Sequence, residues 1–182
     1  MINDWQLLSS SPLCESPYIK VAKEIVATPS RPQGVPWFVA YRPEAAVIAP
    51  KLPNGYFVMI RQERIAVRHT LWEFPAGQLD HSDLETTALR ELAEETGLTS
   101  THLIPLGFYF TSPGFTTECC HLFLAENCTP APAGHSPDPG EAILETRPFS
   151  PNQIQEMIAS GTIQDANSLA LFARLVATGH LA

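Results

Sequence analysis

The sequence predicts an α/β (α+β) layered domain with a small N-terminal β arm. Short apolar runs bounded by Pro, Gly and Asn recur on either side of residues 82–97, the pattern of buried strands. Residues 82–97 themselves carry helix signals at both ends, and two more helical stretches close the chain. Strands grouped around one central helix, with further helices at the end, make a layered fold.

Taken in order, residues 1–36 read as an arm and residues 37–182 as the main domain. In the arm, Trp5, residues 18–21 and residues 24–26 suggest short strands, and residues 29–36 suggest a proline-bounded loop. Residues 37–41 form a strand closed by Pro43. Residues 45–49 and 56–60 are joined by Pro53-Asn54-Gly55, and Asn-Gly between two apolar runs predicts a hairpin. A short strand at residues 71–73 leads to Pro75-Ala76-Gly77.

Ser82-Asp83-Leu84-Glu85 has the form of a capping box, which starts the central helix at Ser82. Gly97 suits the left-handed position past a helix end, so the helix stops at about Thr96. Leu84, Ala88 and Leu92, with Leu89 and Ala93 beside them, make one apolar face. Strands follow at residues 103–110 and 119–125, separated by a loop at 111–118. Residues 129–140, rich in Pro, Gly and Ala, read as a mobile loop, and a last strand covers about 143–147. Ser150 before Pro151 opens a helix with Ile154, Met157 and Ile158 inward. Gly161 breaks it, and residues 165–177 form the final helix with Leu169, Phe172, Leu175 and Val176 inward.

At 182 residues the chain suits one domain, and 45% hydrophobic content supplies a core. A net charge of −8 argues against a nucleic-acid-binding surface, which wants a basic stripe. No apolar run is long enough to span a membrane and there is no signal peptide, so the expected setting is cytoplasmic. Cys14, Cys119, Cys120 and Cys128 include no C-x-x-C pair and read as free buried thiols in a reducing cytosol.

Glu91, Glu94 and Glu95 stand at i, i+3 and i+4, so three carboxylates share one helix face. Such a run is either a solvated face or a site for a hard divalent cation, which takes oxygen ligands and leaves positions for substrate phosphates. The surrounding residues favour the second. Arg90-Glu91-Leu92-x-Glu94-Glu95-x-Gly97-Leu98, preceded by Gly77 and Asp83, closely resembles the Nudix box of the Nudix hydrolases. In the first half of the box the loop is one residue shorter than the family pattern, and the family's first Glu is replaced by Asp83 or is absent. That Glu mainly supports the Arg and the loop in the family.

The resemblance implies an α/β/α sandwich with a mixed sheet over roughly residues 40–178. It also implies Mg²⁺, with Mn²⁺ as a substitute, held by Glu91 and Glu95, with Glu94 as an additional or bridging ligand and the Ala76 carbonyl completing the set. Arg90 then holds Glu91 or Glu94 in place. Outside the box, Gln62-x-Arg64 and Ser112-Pro113-Gly114-Phe115-Thr116-x-Glu118 resemble the ADP-ribose pyrophosphatase branch. On that resemblance the substrate is a small nucleotide sugar, with ADP-ribose leading and ADP-glucose or UDP-glucose as alternatives. A non-catalytic ADP-ribose-binding module is a further alternative.

Arg64, Glu118, Trp37 and Phe115 are the substrate-binding candidates. Glu118 is open between the distal sugar, a metal and a loop cap, and Trp5, Trp37 and Phe38 between base stacking and core or interface packing. Glu141 matches the position of the branch's general base, with Glu145 as runner-up, and Glu94 and Glu95 complete the catalytic set with Arg90. Relatives in the branch pair as homodimers through the N-terminal arm. Neither a nucleic-acid nor a membrane partner is expected.

Overall fold

The computed structural model describes residues 4–79, 83–132, 134–136 and 140–181. The expected cap at Ser82 and residues 133 and 137–139 of the expected loop lie outside them. The chain divides into two compact units, residues 1–44 with 110–119, and residues 45–109 with 120–182.

The first unit is an antiparallel sheet of β1 (Gln6–Glu15), β2 (Lys20–Thr28) and β3 (Arg31–Tyr41), in that order. Two expected short strands are one here, because β2 pairs along its length with both neighbours. The expected loop at 29–36 is also mostly strand. The two prolines that fall within β3, Pro32 and Pro36, are tolerated because β3 is at the edge of the sheet, with no further strand of the sheet beyond it to need their N–H groups. Every residue of β1 is exposed, Leu7, Leu8 and Leu13 included. Buried Glu24 of β2 accepts hydrogen bonds from Tyr41 and from Ser10. The 110–119 segment is tied to β3 at Ala40, whose N–H donates to Phe115 O at 2.7 Å and whose carbonyl accepts from Thr117 at 3.0 Å.

The second unit carries β4 (Ala45–Pro50), β5 (Phe57–Arg64), β6 (His69–Glu73), β7 (Ala76–Gln78), α1 (Leu84–Thr96), β8 (Leu98–Thr99), β9 (His102–Phe110), β10 (Cys119–Glu126), β11 (Thr129–Pro130), β12 (Ile143–Phe149), α2 (Pro151–Ala159) and α3 (Ala166–Ala177). One sheet runs β7-β4-β10-β9, with β4 and β10 parallel; β12-β5-β6 and β11-β8 form two smaller antiparallel sheets.

Side chains alternate across a strand, and this builds the layers. Val47 and Ala49 of β4, with Leu122 and Leu124 of β10, face a core closed by Ile154, Leu171, Phe172 and Leu175 of α2 and α3. Ala46 and Ile48, with Phe123 and Ala125, face a second core closed by Ala88 and Leu92 of α1. The β4–β10 pair is therefore covered on both faces, an α/β/α arrangement. No described helix is long and apolar enough to cross a membrane.

The Asn54-Gly55 turn forms, with Leu52 N–H to Tyr56 O at 2.8 Å and Gly55 at φ +83°. It does not make the expected hairpin. Beyond a single bridge from Lys51 to Phe57, β4 and β5 leave for different sheets, because each is buried and finds its ladder partners elsewhere. Val176, expected inward, is 55% exposed; the inward stripe of α3 runs through Ser168, Leu171, Phe172 and Leu175.

Candidate active site

Helix α1 starts one residue later than the capping-box reading. Asp83 is its N-cap, accepting from Thr86 N–H at 2.9 Å and from Thr86 Oγ1 at 2.8 Å. These bonds hold its carboxyl below the usual range. Asp83 thus serves the helix start. At the other end Gly97 adopts φ +69° and donates to Ala93 O.

The expected mobile loop meets this end of the helix. Ala131 N–H donates to Gly97 O at 2.8 Å and Ser136 N–H to Glu94 O at 3.0 Å, so its described part satisfies carbonyls a helix terminus leaves open. Farther on, Ala142 O accepts from Glu63 N–H at 3.0 Å, which ties the chain beside Glu141 to β5.

The result is a convergence of carboxylates. Glu91, Glu95 and Glu141 each bring an oxygen within 4.8 Å of the others. Glu91 and Glu95 are 5% and 1% exposed, so this is no solvated face. Burial pushes Glu91 up to about 7, against Arg90, with Glu141 and Glu94 adding to the rise. Burial, then Glu141, drives Glu95 well above the carboxylate range, opposed by the hydrogen bond from Ala76. That N–H reaches Glu95 Oε2 at 2.8 Å.

Arg90 grips Glu91 and Glu94 at 2.7 Å each. The structure therefore brings Glu141 to Glu91 and Glu95, and sets Glu94 on Arg90, outside the three-carboxylate group. Gly77 makes room for the group: a Cβ there would stand 1.9 Å from Glu91 Cδ. Two buried like charges and a third beside them, all oxygen donors, suit a hard divalent cation.

Arg64 of β5 is a second cation whose charge reaches the group, at Glu95. Its Nε donates to Glu73 Oε1 at 2.9 Å and a terminal nitrogen to Oε2 at 2.5 Å. Glu73 is 2% exposed, and burial raises its pKa despite Arg64; Arg64 is raised by its bond to Glu73 and feels Glu95 as well. Sequence reasoning did not single out Glu73. The antiparallel register of β5 and β6, which local spacing does not show, puts Arg64 and Glu73 on one face of neighbouring strands.

Glu145 lies on β12 in ion pairs with Arg61 at 3.2 Å and Arg147 at 3.6 Å. Three other candidates belong to the first unit. Glu118 is held by Arg42 at 3.1 Å and Thr111 at 2.8 Å. Trp37, 37% exposed, leans on Trp5 with ring centroids 5.8 Å apart, and Phe115 is 56% exposed.

A family model described as the NUDIX domain matches residues 40–172. The chain belongs to the Nudix hydrolase family. Among Nudix relatives, an ADP-ribose pyrophosphatase of Bacillus subtilis (strain 168) is 32% identical over 131 residues, 71% of this chain and 70% of that one. A GDP-mannose pyrophosphatase of Escherichia coli (strain K12 / DH10B) is 36% identical over 133 residues, 68% of each chain. A solved structure described as an ADP compounds hydrolase aligns with a TM-score of 0.79 over 94% of this chain and 92% of its own, at 17% identity, and so shares the Nudix fold.

Proposed function

We propose that this Nudix protein hydrolyses the diphosphate of a nucleoside diphosphate sugar, with ADP-ribose leading and AMP and ribose 5-phosphate as products. The observation that carries the reading is the convergence of Glu91, Glu95 and Glu141 within 4.8 Å. The named activity of the B. subtilis relative supports the substrate.

Glu91, Glu95 and Glu141 would hold Mg²⁺, or Mn²⁺ in its place, joined by the Ala76 carbonyl; Glu94 serves as an added ligand or through Arg90. When bound, the ion lowers the pKa of water and offsets charge on the diphosphate. Arg90 keeps Glu91 aimed while the site is filled and emptied. Arg64, braced by Glu73, presents its remaining N–H groups to a phosphate oxygen. Glu141 takes the proton of the attacking water as the bond from phosphorus to the bridging oxygen breaks.

Trp37, with Phe115 and Glu118, recognises base and sugar, and the exposed apolar residues Leu7, Leu8 and Leu13 of β1 are the surface through which two chains pair as a homodimer. The four cysteines are free thiols, which suits the cytoplasm; Cys119, Cys120 and Cys128 are buried as expected, whereas Cys14 is exposed because it lies on β1, whose residues are all exposed.

The relatives named GDP-mannose pyrophosphatase favour a second reading, the same chemistry on a guanosine nucleotide sugar. The test is product release from ADP-ribose, GDP-mannose, ADP-glucose, UDP-glucose and a nucleoside triphosphate, with Mg²⁺ and with EDTA. Metal-dependent AMP release from ADP-ribose above the others is expected. GMP from GDP-mannose as the main product moves the assignment to the second reading, and cleavage of the triphosphate alone overturns both.

A further inference from the structure

The stretch from Glu73 to Ala76 is where the chain leaves one sheet, at the end of β6, and enters another, at β7. Each of its four residues is tied to a different element. Glu73 holds Arg64 of β5 through its side chain. Pro75 O accepts from Ile48 N–H of β4 at 2.9 Å, and Ala76 N–H reaches Glu95 of α1 at 2.8 Å. The fourth tie is the least local. Phe74 N–H donates to Ser168 Oγ at 2.8 Å, 94 residues along the chain, and this bond is buried.

Ser168 is built for that contact. It is 1% exposed, and its own hydroxyl proton goes to Asp165 Oδ2 at 2.8 Å. With its proton committed to Asp165, the oxygen faces Phe74 as an acceptor. The cap of α3 does not need this hydroxyl, because Ser168 N–H donates to the same Asp165 oxygen at 2.8 Å. The charge of Asp165 is also felt by both Arg64 and Glu73, which sets the N-terminus of α3 beside that pair.

We propose that Ser168 is a positioning residue for the carboxylate centre: its hydroxyl pins the Phe74 backbone, so that Ala76 N–H meets Glu95 and Glu73 meets Arg64 in the geometry the site requires. The inference rests on the metal-binding reading of Glu91, Glu95 and Glu141. Pro75 has no N–H, so the bond at Phe74 is the last backbone donor holding the corner before Ala76. Loss of its acceptor leaves a buried N–H without a partner, and the corner relaxes to find one. Ala76 moves with it, and Glu95 loses the bond that orients it. A group bonded directly to a ligand typically changes metal affinity by about 10–100-fold, and Ser168, two hydrogen bonds from Glu95, belongs at the low end of that range.

The experiment measures Mn²⁺ binding to the full chain by electron paramagnetic resonance, alongside kcat, KM and Tm. The proteins are the wild type, Ser168→Ala, Ser168→Thr, Ser168→Cys, Glu95→Gln and Ile163→Val. Ile163 shares the core of Phe74 but makes none of the corner's four ties, and its truncation supplies a stability control. Expected results are a loss of about tenfold in Mn²⁺ affinity for Ser168→Ala, carried into kcat with KM little moved, and recovery in Ser168→Thr, which keeps the hydroxyl. Ile163→Val should lower Tm and leave Mn²⁺ affinity alone.

The proposal is overturned if Ser168→Ala lowers Tm with Mn²⁺ affinity and kcat unchanged, or if Ile163→Val weakens Mn²⁺ equally. Should Ser168→Ala not fold, Ser168→Cys decides: a weaker acceptor of similar size must still lose affinity. A wild type that binds no Mn²⁺, or a Glu95→Gln variant that binds it undiminished, overturns the metal-site reading and this inference with it. Wild-type binding lost in Glu95→Gln but kept in Ser168→Ala sinks this inference alone.

Discussion

Gly77 stands so close to Glu91 that a side chain on one excludes the other. A Cβ on Gly77 would lie 1.9 Å from Glu91 Cδ and 2.0 Å from its Oε1. Backbone angle is not the reason for this glycine; space is. Gly77→Ala should therefore drive the Glu91 carboxylate out of the group it forms with Glu95 and Glu141. Turnover should fall by about 100-fold, the usual result of displacing a reacting or ligating group by an ångström. Steady-state kinetics with a parallel thermal melt would check this. Near-wild-type turnover would mean that Glu91 need not sit where it does.

Glu95 is nearly fully buried, and its charge is disfavoured there by burial and by Glu141. Glu95→Gln keeps an acceptor for Ala76 N–H and removes the charge. Turnover should drop by roughly two orders of magnitude or more, because the cation loses a ligand. The metal-free protein should become more stable near neutral pH, since a carboxylate that must take up a proton or be buried charged on folding is gone. Melting curves in EDTA, read beside kinetics in Mg²⁺, test both halves; a less stable metal-free variant would show that the charge is compensated within the protein.

The pH dependence follows in sign. Burial raises Glu91 from 4.5 to about 7, with Arg90 opposing, so the folded chain holds that proton more tightly than the unfolded chain does. Its contribution to stability is complete below pH 4.5 and is lost as pH rises through about 7. Glu95 shifts in the same direction. The Tm in EDTA should fall between about pH 5 and about pH 8, and Mn²⁺ should raise it far more at the upper end, where the ligands are ionised. A flat profile in EDTA would contradict the burial of these two carboxylates.

Arg64 and Glu73 form a pair in which the anion is 2% exposed and the cation's side chain 40%. Arg64→Ala leaves Glu73 buried without its partner. Breaking such a pair is costly, and with the arginine partly solvated the loss should be about 2 kcal/mol by denaturant titration. KM for ADP-ribose should rise with it. In Arg64→Met with Glu73→Leu, stability should return and substrate binding should not. Recovery of both would remove Arg64 from the substrate-binding set.

Much of this was legible in the chain itself. Leu84, Ala88 and Leu92 at helical spacing, with Gly97 behind them, place α1 and its buried face. What periodicity could not reveal was how local segments would be used. Asn54-Gly55 turns the chain as its residues require, yet the strands on either side join separate sheets. Glu94 lies on the same acidic helix face as Glu91 and Glu95, yet it pairs with Arg90 and the three-carboxylate group takes Glu141 instead.

The sequence by itself determined the family, the helix carrying Glu91 and Glu95, and the requirement for something positive among those carboxylates. These depend on residues within a few turns of one another, where 3.6-residue spacing fixes which side chains meet. Only the tertiary structure decided that Glu141 completes the group, that Glu73 braces Arg64, and that Ser168 meets Phe74 N–H. Those partners are 46, 9 and 94 positions apart, counting Glu141 from Glu95. Contacts of that kind follow from strand pairing and from how α3 packs on the sheet, not from the local spacing of residue types.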